Sequence, residues 1–397
     1  MEKIKMEKIS AAKRTKKIRY AIRDLVFLAR KFPDVIYLNI GDPNIYDFQT
    51  PEHLIQAVSN AMHENRNGYA PSEGIPEARE AIALEAQRKG IQIQAKDVLI
   101  TTGASEGIEM ALTALLDKGQ EFLVPSPGYP LYDAVLNKIQ AKPVNYFLNE
   151  ENKWQPDIED IKKKISGKTR GILLLNPNNP TGSVCEKETV KALIDLAQEK
   201  NLVLFSDEIY NKLVYEKKHY FTAGLSNEVP VLSFNGLSKA YLVPGWRIGW
   251  IEFFDPKKLI PEYIEGIHKI ARARLSANHP LQYAIKPALE GSQEHLKEMN
   301  SKLKERAEFT FKRLNEINGI SCVKPEGAFY AFPSIKVKND EIFVKKFLRK
   351  EKVLLIHGSG FGQKPGTSHF RIVYLPSIPI LEDAFNRLER FVKNIRL

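Results

Sequence analysis

Between residues 98 and 253 the chain repeatedly sets a short apolar run, in most cases continuous, beside a helix-length amphipathic segment, and this alternation limits the possible folds more than any other feature. The runs fall at 98–101, 122–124, 143–147, 171–175, 202–206, 231–234 and 247–253. A strand that is apolar at successive positions, and not only at alternate ones, has both faces buried, as in a sheet covered by helices on either side. The segments at 106–116, 131–139 and 187–200 have the length of crossover helices between parallel strands. An α/β fold with a mostly parallel sheet is the economical solution.

Beyond Asp255 the pattern changes. Residues 293–317 read as one long charged helix in which Leu296, Met299, Leu303, Phe309 and Leu314 recur near a helical period, suited to span two lobes. Strands at 327–332, 353–356 and 370–375 then mix with helices at 340–350 and 380–395, an α+β pattern. The expected division is a large domain at 51–300 and a small α+β domain at 301–397, completed by residues 1–50 with their N-terminal arm. The echo of Met1-Glu2-Lys3-Ile4 in Met6-Glu7-Lys8-Ile9 leaves Met6 open as an alternative start.

An apolar content of 43% over 397 residues allows a substantial core and excludes wholesale disorder. No apolar run approaches the roughly 18–20 residues of a membrane helix, and residues 1–23 lack the continuous apolar stretch of a secretory signal. A soluble, cytoplasmic protein is expected. Cys185 and Cys322 stand alone, without CxxC spacing or a His cluster, so neither a disulfide framework nor a metal site is expected. The net charge of +11 raises nucleic acid or an anionic membrane as partners. Residues 1–23, however, carry nine Lys or Arg against two Glu, so +7 of the excess sits in the arm, and neither partner is expected.

Four runs carry chemistry, each at the end of a strand. Thr101-Thr102-Gly103-Ala104-Ser105-Glu106-Gly107 enters a helix, where free N–H groups and a serine hydroxyl suit a phosphate; taken alone, a turn capped by Ser105 is the commoner explanation. Asn176-Pro177-Asn178-Asn179-Pro180-Thr181-Gly182 holds a polar segment between two X-Pro bonds at the edge where α/β sheets bind ligands, with Asn178 able to close an Asx-turn. Ser206-Asp207-Glu208-Ile209-Tyr210 closes another strand; a helical turn there puts Asp207 and Tyr210 on one face. Asp207 reads equally well as an N-cap, and Glu208 as a solvated neighbour. Lys239 lies in Asn235-Gly236-Leu237-Ser238-Lys239-Ala240-Tyr241, eight residues before Arg247 in Pro244-Gly245-Trp246-Arg247-Ile248-Gly249-Trp250. Most lysines are solvated. One withdrawn from water has a lowered pKa, and only its neutral amine attacks a carbonyl.

In this order GASEG, PGYP, NPNNPTG, SDEIY, LSKxYxxPGWRIGW and the late FRIVYLP resemble the class I/II aminotransferases, pyridoxal 5'-phosphate enzymes of fold type I, from about Leu38 onward. NIGDP at 39–43, NGLSK, and HGSGFG at 357–362 are most similar to the alanine aminotransferase branch. The resemblance implies a mostly parallel seven-stranded sheet in the large domain. It makes Lys239 the Schiff-base lysine and proton shuttle, and Asp207 the partner of the pyridine nitrogen, whose pKa a neighbouring negative charge raises. Tyr210 and Asn179 would hydrogen-bond the ring oxygen, with Tyr129 stacked on the ring. Ala104, Ser105, Ser238 and Arg247 would cradle the phosphate, a guanidinium fork suiting a dianion, joined by Tyr69 of the neighbouring subunit in a homodimer. Gly41, Asn179 and Arg371 would take the substrate carboxylate.

Two positions depart from the wider pattern. Gly236 stands where many relatives carry a serine three residues before the lysine, which matches the alanine branch. Neither Arg272 nor Arg274 registers with the arginine that aspartate enzymes use for a side-chain carboxylate. The implied reaction is ping-pong transamination by way of pyridoxamine phosphate, with L-alanine and 2-oxoglutarate giving pyruvate and L-glutamate. The alternatives are an aspartate or aromatic aminotransferase, or a lyase on the same scaffold. A non-catalytic DNA-binding relative would need a helix-turn-helix and a degraded lysine site, and the lysine site is intact.

Overall fold

A computed structural model of the chain describes residues 8–18 and 21–394; both candidate starts, Met1 and Met6, and the last residue of the helix expected at 380–395 lie outside them. Its main sheet has eight strands in the order Val98–Thr101, Gly249–Phe254, Val231–Gly236, Val203–Asp207, Thr169–Leu175, Glu121–Ser126, Lys142–Asn149 and Gln155–Pro156. The four central pairings from Val231–Gly236 to Lys142–Asn149 are all parallel, while Gly249–Phe254 runs antiparallel to both its neighbours. Seven strands follow the sequence reading. The eighth, Gln155–Pro156, is an antiparallel edge strand that no apolar run announces.

The strands Val98–Thr101, Glu121–Ser126, Val203–Asp207, Val231–Gly236 and Gly249–Phe254 are buried at every position, as a sheet covered on both faces requires. Phe122 meets Phe205 edge to face across the intervening strand Thr169–Leu175, and Phe205 meets Phe234 on the adjacent strand, with ring centroids 4.8 and 5.1 Å apart. Each ring removed from water contributes on the order of 2–3 kcal/mol. The helices Ala104–Leu115, Leu131–Lys138 and Lys187–Lys200 supply connections between these strands.

One boundary differs in a way that matters. The strand expected from Arg247 begins at Gly249, because Pro244–Trp246 forms a 3-10 turn and Arg247 takes a left-handed conformation with φ of 54°. Gly249 must be glycine: a Cβ there would lie 2.3 Å from the Ala104 nitrogen.

The long helix Glu294–Asn315 buries Leu296, Met299, Leu303 and Leu314, with Phe309 half-buried. Past it, Tyr330–Ala331, Phe370–Val373 and Ile356–His357 make an antiparallel three-stranded sheet beside the helices Asp340–Glu351 and Ile378–Asn394. Ile36–Tyr37 pairs in parallel with Val353–Leu354, which carries residues 38–42 toward the end of the main sheet. Among the described residues no helix is long and apolar enough to cross a membrane.

Candidate active site

The carboxyl ends of the parallel strands open into a cavity of about 770 Å³. Gly41, Ala104, Ser105, Tyr129, Asn179, Asp207, Tyr210, Ser238, Lys239, Arg247 and Arg371 all line it. Tyr69 does not: it is 82% exposed on the surface of this chain.

Lys239 follows the strand Val231–Gly236, and its Nζ donates to the Gly41 carbonyl at 2.7 Å. Burial lowers its pKa to about 8, reinforced by the positive charges of Arg371 and Arg247 and opposed by Asp42. Asp207 ends the strand Val203–Asp207. Burial pushes its carboxyl up to about 6, against hydrogen bonds from Tyr132 at 2.9 Å and the Ile209 N–H at 3.3 Å.

The segment after Asp207 is a tight turn and not a helix, with Asn211 N–H bonded to the Glu208 carbonyl and Leu213 N–H to that of Tyr210. Tyr210 reaches the cavity through this turn. The extended alternation of the strand persists through Glu208, so Ser206 and Glu208 point away from Asp207. Glu208 is therefore buried, not solvated: it accepts from Ser206 Oγ at 2.8 Å and from the Thr222 N–H at 3.3 Å. Burial, with Glu252 nearby, pushes its pKa up to about 7.

Around the helix start, Gly103 has φ of 72° and is the N-cap, so Ser105 sits inside the first turn of Ala104–Leu115 and does not cap it. The Arg247 guanidinium lies directly over this turn, with Nη1 bonded to the Pro244 carbonyl at 3.1 Å. A Cβ on Gly103 would fall 2.5 Å from Arg247 Nη2. Helix N–H groups, two serines and a guanidinium thus surround one anion-sized space.

In the loop at 176–182, Asn178 closes the anticipated Asx-turn, its Oδ1 accepting from Thr181 N–H at 3.1 Å. This frees Asn179 to face Arg371, whose Nη1 donates to Asn179 Oδ1 at 3.0 Å. Arg371 Nη2 donates to the Asn39 carbonyl. The guanidinium is sandwiched between Tyr330 and Phe361, 4.7 Å from each ring centroid. The Phe361 carbonyl accepts from Gly128 N–H at 2.9 Å, which ties the loop before Tyr129 to the same aromatic.

Sequence reasoning misses Tyr132 and Tyr330. Tyr132 stands three residues after Tyr129 at a helix start, a spacing that shares a helical face, whereas nothing local marks Tyr330. Arg272 pairs with Glu265 at 2.5 Å on the surface, and Arg274 with Glu106 at 3.6 Å and the Ile100 carbonyl at 3.2 Å; neither lines the cavity.

A family model described as "Aminotransferase class I and II" matches residues 33–384. The glutamate-pyruvate aminotransferase AlaA of Haemophilus influenzae is 42% identical over 372 residues, covering 91% of each chain. Its namesake in Escherichia coli K12 is 39% identical over 401 residues, covering 98% of each. The structure of an alanine aminotransferase from Pyrococcus furiosus matches with a TM-score of 0.95 at 46% identity, over 97% of this chain and 100% of that one. The chain belongs to the class I and II aminotransferases.

Proposed function

We propose that the protein is a pyridoxal 5'-phosphate-dependent alanine transaminase, passing the amino group of L-alanine to 2-oxoglutarate to give pyruvate and L-glutamate. One observation carries the reading: a buried lysine amine, the Asp207 carboxylate and the Arg371 guanidinium face a single cavity. The names of the relatives above support alanine as the donor.

The residues present fit that cofactor. The space under Arg247, which a Cβ on Gly103 would fill, suits its phosphate. Asp207, raised by burial to about 6, is a carboxylate that a cationic ring nitrogen would return to its charged form. Once bound, the cofactor supplies an aldehyde carbon for an amine and an electron sink for the substrate Cα.

The chain's own groups do the rest. With its pKa lowered to about 8, Lys239 holds a useful fraction of neutral amine near neutral pH, able to take a proton from the substrate Cα and return it. Asn179 gives its Oδ1 to Arg371, which leaves its Nδ2 to donate toward the ring oxygen alongside Tyr210. Tyr129 covers one ring face. Arg371 presents a fork to the α-carboxylate, a task for which a point-charge lysine is a poor substitute, with the Gly41 backbone beside it. Ala104, Ser105, Ser238 and Arg247 hold the phosphate, and Tyr69, exposed here, reaches the phosphate of a second copy in a homodimer. Residues 51–300 then form the large domain, and 301–397 with 1–50 the small one.

A panel of amino donors assayed against 2-oxoglutarate and pyruvate tests the proposal. Alanine and glutamate should be the fastest pair. Faster turnover with aspartate or aromatic donors would reassign the substrate, and release of ammonia or carbon dioxide would replace transamination by lyase chemistry.

A further inference from the structure

Tyr330 lines the cavity, is 2% exposed, and has no task in the chemistry proposed so far. Its hydroxyl lies 2.8 Å from that of Tyr210, with the two rings edge to face. Its own ring lies under Arg371, whose Cζ is 4.7 Å from the centroid. The strand register explains this double contact: Tyr330 pairs with Val373, two residues from Arg371 on the neighbouring strand. The hydroxyl also occupies the room beside Gly41, where a Cβ would come within 2.3 Å of it.

Two phenols that share one hydrogen bond divide the roles of donor and acceptor between them. If Tyr210 is to donate to a ring oxygen in the cavity, its single proton is committed there, and it can only accept from its neighbour. A hydroxyl that accepts a hydrogen bond is polarised into a stronger donor. We propose that Tyr330 is a positioning residue that donates to Tyr210, aims the Tyr210 proton into the cavity, and at the same time supports the Arg371 guanidinium, so that one side chain couples the ring-oxygen partner to the carboxylate clamp. This rests on the pyridoxal 5'-phosphate reading of the cavity.

The two roles separate by substitution. Tyr330→Phe keeps the ring and removes the donor; Tyr330→Leu removes both. The readout is the pH midpoint of the visible absorption band of the cofactor-loaded protein, followed in wild type, Tyr330→Phe, Tyr210→Phe and the double variant. A band in wild type that is absent from Lys239→Ala establishes the underlying reading, and its absence from wild type overturns that reading independently of Tyr330. Given the band, Tyr330→Phe should raise the midpoint by about 0.5–1 unit, and the effect should vanish in the Tyr210→Phe background. A midpoint that does not rise, or a rise that persists without the Tyr210 hydroxyl, overturns the coupling. For the clamp, Tyr330→Phe should leave the alanine KM unchanged, whereas Tyr330→Leu should raise it about 3- to 10-fold. Equal KM values for the two variants overturn the support of Arg371.

Discussion

The Tyr132 hydroxyl donates to Oδ2 of Asp207 across 2.9 Å, from a side chain that is itself fully enclosed. Tyr132 lies on the helix Leu131–Lys138, immediately after the loop that carries Tyr129. The loop that carries Tyr129 thus leads into the helix that holds the Asp207 carboxyl at the end of a strand of the main sheet. Tyr132→Phe should weaken pyridoxal 5'-phosphate binding by about tenfold, the lower end of the worth of one hydrogen bond to a charged group. Asp207→Asn should cost on the order of 100-fold or more in kcat. Absorbance titration of the apo-protein and steady-state kinetics check the pair, and equal effects of the two substitutions would contradict the assignment.

Lys239, lowered to about 8, sets a pH dependence with a definite sign. Because only the neutral amine reacts, cofactor uptake by the apo-protein should accelerate about tenfold per unit below pH 8 and level off above it. A rate still climbing beyond pH 10 is what a solvated lysine would give. The unfolded chain, with an ordinary lysine near 10.5, binds more protons than the folded one between the two values. Apo-protein stability should therefore rise across that window, and Lys239→Met should abolish the rise.

Glu208 behaves in the opposite sense. Its folded pKa of about 7 exceeds the unfolded 4.5, so the folded state holds the proton more tightly. The stability associated with that proton is fully present below 4.5 and is lost as pH rises through 7. Glu208→Gln should flatten the Tm profile between those pH values. An unchanged slope would mean that the buried carboxyl titrates normally.

Arg371→Lys keeps the charge but loses the fork that reaches both Asn179 and the Asn39 carbonyl. The KM for alanine and for 2-oxoglutarate should each rise about 10- to 100-fold, with cofactor affinity little changed. A parallel loss of cofactor would indicate that the clamp arginine serves the phosphate instead.

Gly103→Ala places a methyl group 2.5 Å from the Arg247 guanidinium at a backbone φ of 72°. Affinity for pyridoxal 5'-phosphate should fall about tenfold or more, while KM for amino acids at saturating cofactor changes little. Calorimetric titration of the apo-protein distinguishes the two.

The main sheet is readable from sequence because doubly covered strands leave unbroken apolar runs, and Val98–Thr101 and Lys187–Lys200 fall at the residues expected. Gln155–Pro156 escapes because a strand of two residues is too short to carry a period. Arg247 is misread as strand because a left-handed residue between a turn and a strand has no compositional mark. The motif residues that line the cavity are visible in sequence because several, Asp207 and the runs holding Ala104, Asn179 and Lys239 among them, lie at or just after strand ends, where side-chain type follows chemistry more than packing. Tyr330 and the burial of Glu208 do not. Tyr330 meets Tyr210 across 120 positions of chain, and the position of Glu208 depends on whether the turn after Asp207 is helical or extended.

The bond from Arg371 to the Asn39 carbonyl, with the pairing of Ile36–Tyr37 to Val353–Leu354, joins the beginning of the described chain to its end. As the polypeptide leaves the ribosome, the sheet, Lys239 and the anion cradle are all present while the carboxylate clamp is not. On the proposed reading, the residues assigned to the cofactor are therefore synthesised before the arginine assigned to the amino acid, and selectivity is the last property to be installed.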